Sequence, residues 1–210
     1  MILALRVVKL AFLDLIEEIF LLCLFNFLWV LSLVPLGLAM PFATAGLAWA
    51  AAEIGQGKAI SWRTFFEGGR RYWKPAYLWA LVNLATWILI YVNFRFYSDF
   101  YNNQGAMWAL APLSLLASVG LVWFAVQFYV FPLLIVQEVP SLRLAYRNGL
   151  ILLASQPAVI IVLFVLFVLL AIVSSLLFIL VFVVDFAFIA LLANRAVLEL
   201  VKAAKEREAR

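Results

Sequence analysis

The sequence predicts an all-α, polytopic transmembrane helical bundle with about five full spans, one short return segment and cytoplasmic interfacial amphipathic helices. Three observations predict it. The chain is 69% hydrophobic and 12% charged, whereas a soluble domain is roughly 45–50% apolar and about 25% charged. From Pro157 to Ala193 the one ionisable side chain is Asp185. A single helix over that run would reach roughly 55 Å at about 1.5 Å per residue. The hydrocarbon core is only about 30 Å thick, so two spans with a reversal at Ser174-Ser175 fit better. Lys and Arg, finally, gather between the apolar runs, where they set orientation.

Each element follows in order. In residues 1–19, Arg6, Lys9, Asp14, Glu17 and Glu18 share one half of a helix, which predicts an amphipathic helix in the interface. Those acids interrupt what would be the apolar core of a signal peptide. The first span covers about 19–36, closed by Pro35 and Gly37. Segment 41–54 is rich in Ala and Gly and only roughly 21 Å long as a helix, so it returns through a thinned or protein-lined region or is a half-helix. Gly55-Gln56-Gly57-Lys58 is a turn, and Ser61 caps a helix over 61–74. That helix carries Trp62, Phe65, Phe66, Tyr72 and Trp73 opposite a basic face, with Gly68-Gly69 as a bend. Spans at 75–96 and 108–136 come next, separated by a 97–105 loop without Lys or Arg. Pro112 and Pro132 mark where the second of these enters and bends. A second amphipathic helix begins at Ser141, with Arg143, Arg147 and Asn148 on its polar side. Spans at 157–173 and 176–194 then lead to a solvated helical tail from Asn194. The whole chain, 1–210, reads as one transmembrane domain.

Orientation follows from the cations. Lys58, Arg63, Arg70, Arg71 and Lys74 lie in 55–75, Arg143 and Arg147 in 137–156, and the tail is again basic. The positive-inside rule places all three in the cytoplasm. With 41–54 returning, the N-terminus is cytoplasmic as well; without that return it lies outside. The net charge of +4 therefore serves topology, not nucleic-acid binding.

Composition also narrows the chemistry. There is no histidine, which removes the commonest general base and metal ligand. The single Cys23 cannot form an internal disulfide and reads as a packing residue. No nucleotide-binding glycine loop, metal-ligand cluster or nucleophile beside a base is present. The expectation is a non-enzymatic protein with no metal and no cofactor.

The run Asn26-Phe27-Leu28-Trp29-Val30-Leu31-Ser32-Leu33-Val34-Pro35, followed by Pro41-Phe42-Ala43-Thr44-Ala45, resembles the YesL-type family of small bacterial membrane proteins. That family opens with an Asn-Leu-Leu-Trp run ending in Ser-Leu-Pro, then a Gly-Pro-Ala-Thr-type turn before a basic, aromatic linker. Here the linker is Phe65-Phe66 to Lys74. Tyr129-Val130-Phe131-Pro132-Leu133, Leu144-Ala145-Tyr146-Arg147-Asn148-Gly149-Leu150 and Asn194-Arg195-Ala196 are similar to its later signatures. Met40 replaces the usual Gly, and Phe42 precedes the Ala-Thr pair. The resemblance implies a bacterial inner membrane and an accessory role beside carbohydrate uptake or its signalling, with a sugar-uptake permease or sensor kinase as partner. This is fold-level analogy.

Two candidate sites stand out. Asp185, expected near mid-bilayer, together with Asn26, Asn83 and Gln127, is a candidate intramembrane polar site for a proton, a cation or a sugar hydroxyl, since buried charge in a span is costly. The alternative is that Asp185 hydrogen-bonds Asn26, Asn83, Gln127 or Arg95, and that the amides hold helices together. Arg63, Arg70, Arg71, Lys74, Arg143 and Arg147 form a candidate cytoplasmic face for docking a partner or for binding the anionic lipid of the bilayer. Two functions follow: an accessory or regulatory membrane protein, or a small transporter or channel built on Asp185 and the amides.

Overall fold

The computed structural model describes residues 2–208. Met1, Ala209 and Arg210 lie outside the described residues, as do the side chains of Ile2, Arg207 and Glu208, so part of the predicted basic tail is not placed. Nine α-helices follow in order among the described residues: α1 (Ile2–Glu17), α2 (Ile19–Leu31), α3 (Met40–Gly55), α4 (Trp62–Gln104), α5 (Leu110–Val136), α6 (Leu142–Ser155), α7 (Pro157–Leu176), α8 (Ile179–Val183) and α9 (Asp185–Glu208). A 3₁₀ turn, Met107–Ala109, leads into α5. Three helical stretches are long and apolar enough to cross a membrane: within Trp62–Gln104, Met107–Val136 and Pro157–Leu176.

The short alanine-rich segment is the centre of the bundle. Pro41 fits the first turn of α3, where its missing N–H costs nothing. Ala43, Ala45, Gly46, Leu47, Ala48, Ala50, Ala51 and Ala52 are all buried, against α2, α4, α5 and α9. Small side chains permit this because they let neighbouring backbones approach closely. A Cβ on Gly46 would collide with the Phe65 carbonyl oxygen, and one on Gly68 with the Cβ of Trp49. Gly68-Gly69 therefore fits α4 against α3 and does not bend it. The bend lies at Tyr72 (φ −110°, ψ 15°), three residues before Pro75, whose ring would strike the carbonyl one turn back.

This arrangement makes a prediction. Gly46→Ala should cost about 1–3 kcal/mol through overpacking, read as a lower melting temperature in detergent. Gly120→Ala is the control, because its Cβ would sit 3.8 Å from Trp87, an ordinary contact. That change should be neutral or slightly stabilising, since Ala favours helix over Gly. Equal melting of the two variants would refute the close α3–α4 fit.

The N-terminal helix and the tail pack on each other. Ala4, Val7, Ala11 and Asp14 form the buried stripe of α1, at the three- and four-residue spacing of one helix face. On α9, Ala196, Val197 and Leu200 are buried too, so the tail is core at its start and not solvated as its charges suggested. Glu199 pairs with Arg6 at 3.0 Å. Arg195 grips Asp14 with two bonds of 2.5 and 2.6 Å and donates a third to the Gly55 carbonyl at 3.1 Å.

Two expected full spans are interrupted. The 19–36 run stops as helix at Leu31; Leu36 (φ 52°) and Gly37 (φ 74°) then take left-handed conformations in the turn before α3. With 13 residues, α2 is roughly 20 Å long. The run from Pro157 reverses at Leu177-Phe178, after the serine pair. Ser175 donates to the Ile172 carbonyl at 2.7 Å, satisfying its hydroxyl on its own helix, so the helix continues past it. Val184 (φ −145°) then separates α8 from α9.

The other expected elements form with their caps. The Ser61 N–H donates to Thr64 Oγ1 at 3.0 Å, and Ser141 Oγ accepts from the Leu144 N–H at 3.5 Å. The expected 97–105 loop is mostly helix, since α4 runs to Gln104 before Gly105 (φ 60°) ends it. Gly149 lets α6 lie against Val126 of α5.

Candidate functional site

The four residues of the predicted intramembrane site separate into two places. Asn83 and Gln127 belong to one network joining α4, α5 and α6. Trp79 Nε1 donates to Gln127 Oε1 at 2.8 Å, and Trp123 Nε1 to Asn83 Oδ1 at 3.0 Å. The Asn83 amide reaches the Trp79 carbonyl at 2.9 Å and the Tyr146 hydroxyl at 3.2 Å. The Gln127 amide donates to the Trp123 carbonyl at 3.0 Å, and the Tyr146 ring stacks on Trp123 at 4.9 Å. Burial pushes the Tyr146 hydroxyl up, against a smaller downward pull from Gln127 and Asn83, so it stays protonated. Every amide atom here has a partner, which makes the network a clasp between helices.

Asn26 sits elsewhere, fully buried. Its Nδ2 donates to the Val181 carbonyl at 2.8 Å, and its Oδ1 accepts from the Phe186 and Ala187 N–H groups at 2.8 and 3.1 Å. The break at Val184 frees backbone groups that a continuous helix would satisfy internally. Asn26 satisfies them from α2, acting as a cap supplied by another helix. Trp29, one turn on, stacks on Phe186 at 3.7 Å.

Asp185 opens α9 beside that cap, so it stands at a helix start and not inside a continuous helix. Only 8% of it is exposed, and its Oδ1 has no hydrogen-bond partner. The expected bond to Asn26 is missing because the Asn26 amide is taken by backbone. Ser174, 3% exposed, is likewise unpartnered at Oγ. Both line an open cleft of about 370 Å³ whose other walls include Phe167, Leu170, Phe178 and Val181. A second cavity of about 350 Å³, bordered by Trp29, Phe131, Gln127 and Asn194, adjoins it across Phe167, Phe186 and Ile189.

The predicted basic face is exposed along α4 and α6. Arg63, Arg70, Arg71, Lys74, Arg143 and Arg147 all reach solvent, and among the described residues none of them is in an ion pair. Arg71 lies over the Trp49 ring at 4.9 Å, Arg63 over Trp62 at 5.4 Å and Lys74 over Trp73 at 5.6 Å. Arg70 borders two surface hollows, one with Phe42, Trp73 and Tyr77, the other with Trp62, Arg63, Phe66 and Glu67. Tyr72 donates to the Ile135 carbonyl at 3.4 Å, which brings this part of α4 beside the end of α5, from which α6 follows.

Sequence reasoning missed Ser174 as a site residue, Trp79, Trp123 and Tyr146 as partners of the amides, and the Asp14–Arg195 pair. An acid buried on the first helix and an arginine on the last carry no local signal of each other. Among the described residues, no three of His, Cys, Asp and Glu come together in a metal-binding group.

The architecture defines a class: an all-helical chain, without strands among the described residues, bearing three helices long and apolar enough to cross a membrane. This points to a membrane protein. No family model matches the chain, and no curated protein and no solved structure matches it.

Proposed function

We propose that this protein is a non-enzymatic accessory or regulatory component of a bacterial inner membrane, and that it docks another protein through the basic-aromatic face of α4 and α6. The observation that carries this reading is the set of exposed cations, free of ion pairs, on a helix held firmly from behind. Gly68 and Gly69 press that helix onto α3, so Arg63, Arg70 and Lys74 are presented by a rigid element. Such a surface suits an acidic partner, because charge complementarity steers encounter and fixes register. The resemblance to the YesL-type family extends the proposal to a sugar-uptake permease or a sensor kinase.

The topology proposed has both termini in the cytoplasm, with 19–36, 75–96, 108–136, 157–173 and 176–194 crossing and the short 41–54 segment returning. Arg195 supports it by joining Asp14 of α1 to the end of α3, beside the basic 55–75 segment.

The alternative, a small transporter or channel, keeps one favourable observation: the unpartnered Asp185 at an open cleft. Asn26, Asn83 and Gln127 lend it little, since their amides are engaged elsewhere.

A pull-down from native membranes in mild detergent tests docking. Combining Arg63→Glu, Arg70→Glu and Lys74→Glu should reduce co-purified partner at least about tenfold, a loss of roughly 1.4 kcal/mol, with melting unchanged. Undiminished recovery of the same partner would overturn the docking reading.

A further inference from the structure

We infer that the cleft between α7 and the α8–α9 break binds an amphiphile with an apolar chain and a hydrogen-bond-donating head. This goes beyond the docking reading and uses none of its residues. Two buried polar atoms, Asp185 Oδ1 and Ser174 Oγ, lack partners and line one cleft. An unsatisfied buried polar group carries a full desolvation penalty, which a fitting ligand would relieve. The Asn26 amide cannot relieve it, because it is held by Val181, Phe186 and Ala187.

The chemistry of the head follows from the acceptors. A carboxyl and a hydroxyl welcome a hydroxyl or a protonated amine, and the carboxyl disfavours an anion. The chemistry of the tail follows from the walls. Phe167, Leu170 and Phe178 line the cleft, and Phe167, Phe186 and Ile189 also border the adjoining cavity. The cleft, at about 370 Å³, has the size and mainly apolar lining of small-molecule sites.

Native mass spectrometry of the full-length protein in a neutral detergent tests this, with dodecylamine, dodecan-1-ol and dodecanoate offered separately. The expected result is retention of the amine or the alcohol, with dodecanoate bound at least about tenfold more weakly. Retention of the amine alone assigns a charged head, and retention of the alcohol alone a neutral one. Ala171→Trp should abolish binding by filling the cleft. Ala171 is an exposed position on α7 that lines it, so the fold should tolerate the change. Asp185→Asn should weaken the amine by the same factor and leave the alcohol less affected. Equal retention of all three amphiphiles, no retention of any, or binding unchanged in a folded Ala171→Trp protein would each overturn the proposal. Should Ala171→Trp fail to fold, Ser174→Val, which fills less space but removes the hydroxyl, must weaken binding for the proposal to stand.

Discussion

Asn26→Leu is expected to destabilise the bundle by about 3–5 kcal/mol, because it leaves three backbone groups, one buried and two partly buried, without partners at a cost of roughly 1–3 kcal/mol each. Those groups are the Val181 carbonyl and the Phe186 and Ala187 N–H groups. The replacement has similar size, so packing changes little and the polar loss dominates. Two measurements check it. The melting temperature in detergent should fall clearly, and the Phe186 and Ala187 amides should lose protection from hydrogen exchange before those of α3. An unchanged melting temperature with retained protection would show that the α8–α9 break supports itself. The same break places Asp185, so the variant should also disturb the cleft, which gives the change a consequence beyond stability.

The second large effect concerns the bond between the two ends of the chain. Asp14→Leu should cost about 3 kcal/mol, the lower part of the range for breaking a buried ion pair, because the Arg195 side chain keeps 17% exposure. The Arg195 guanidinium is held above its ordinary value, first by its hydrogen bonds to Asp14 and against the opposing effect of burial. It remains charged when its partner is removed, and that unpaired charge is the main penalty. Adding Arg195→Met should recover much of the loss, since an apolar pair of similar volume avoids burying a lone charge. A double-mutant cycle by denaturation measures this directly. Additive losses with no recovery would mean that Arg195 acts through the Gly55 carbonyl and not through Asp14.

These two predictions rest on contacts between distant parts of the chain, and such contacts separate what could be read early from what could not. The sequence by itself determined the all-helical class, since a chain so apolar must satisfy its backbone internally. It also determined several boundaries. Segment 41–54 is α3 almost residue for residue, and Ser61 and Ser141 start their helices. Pro75, where a span was expected to begin, follows the bend at Tyr72 by three residues, although the sequence placed that bend at Gly68-Gly69. All of these depend on local chemistry: hydropathy, caps and proline geometry.

Tertiary structure alone decided the rest. Alanines in α3 allow close packing, but only the surrounding helices make that segment the centre. The serine pair offered a polar place to reverse, yet the Ser175 hydroxyl was satisfied within the helix and the turn moved to Leu177-Phe178. The four polar residues expected to share one site divide between a clasp at Gln127 and a cap at Asn26. Which amide meets which group depends on the rotation and register of facing helices. One helix's own sequence does not encode the neighbour it will meet, so Asp185 and Ser174 were left facing a cleft that no local pattern could announce.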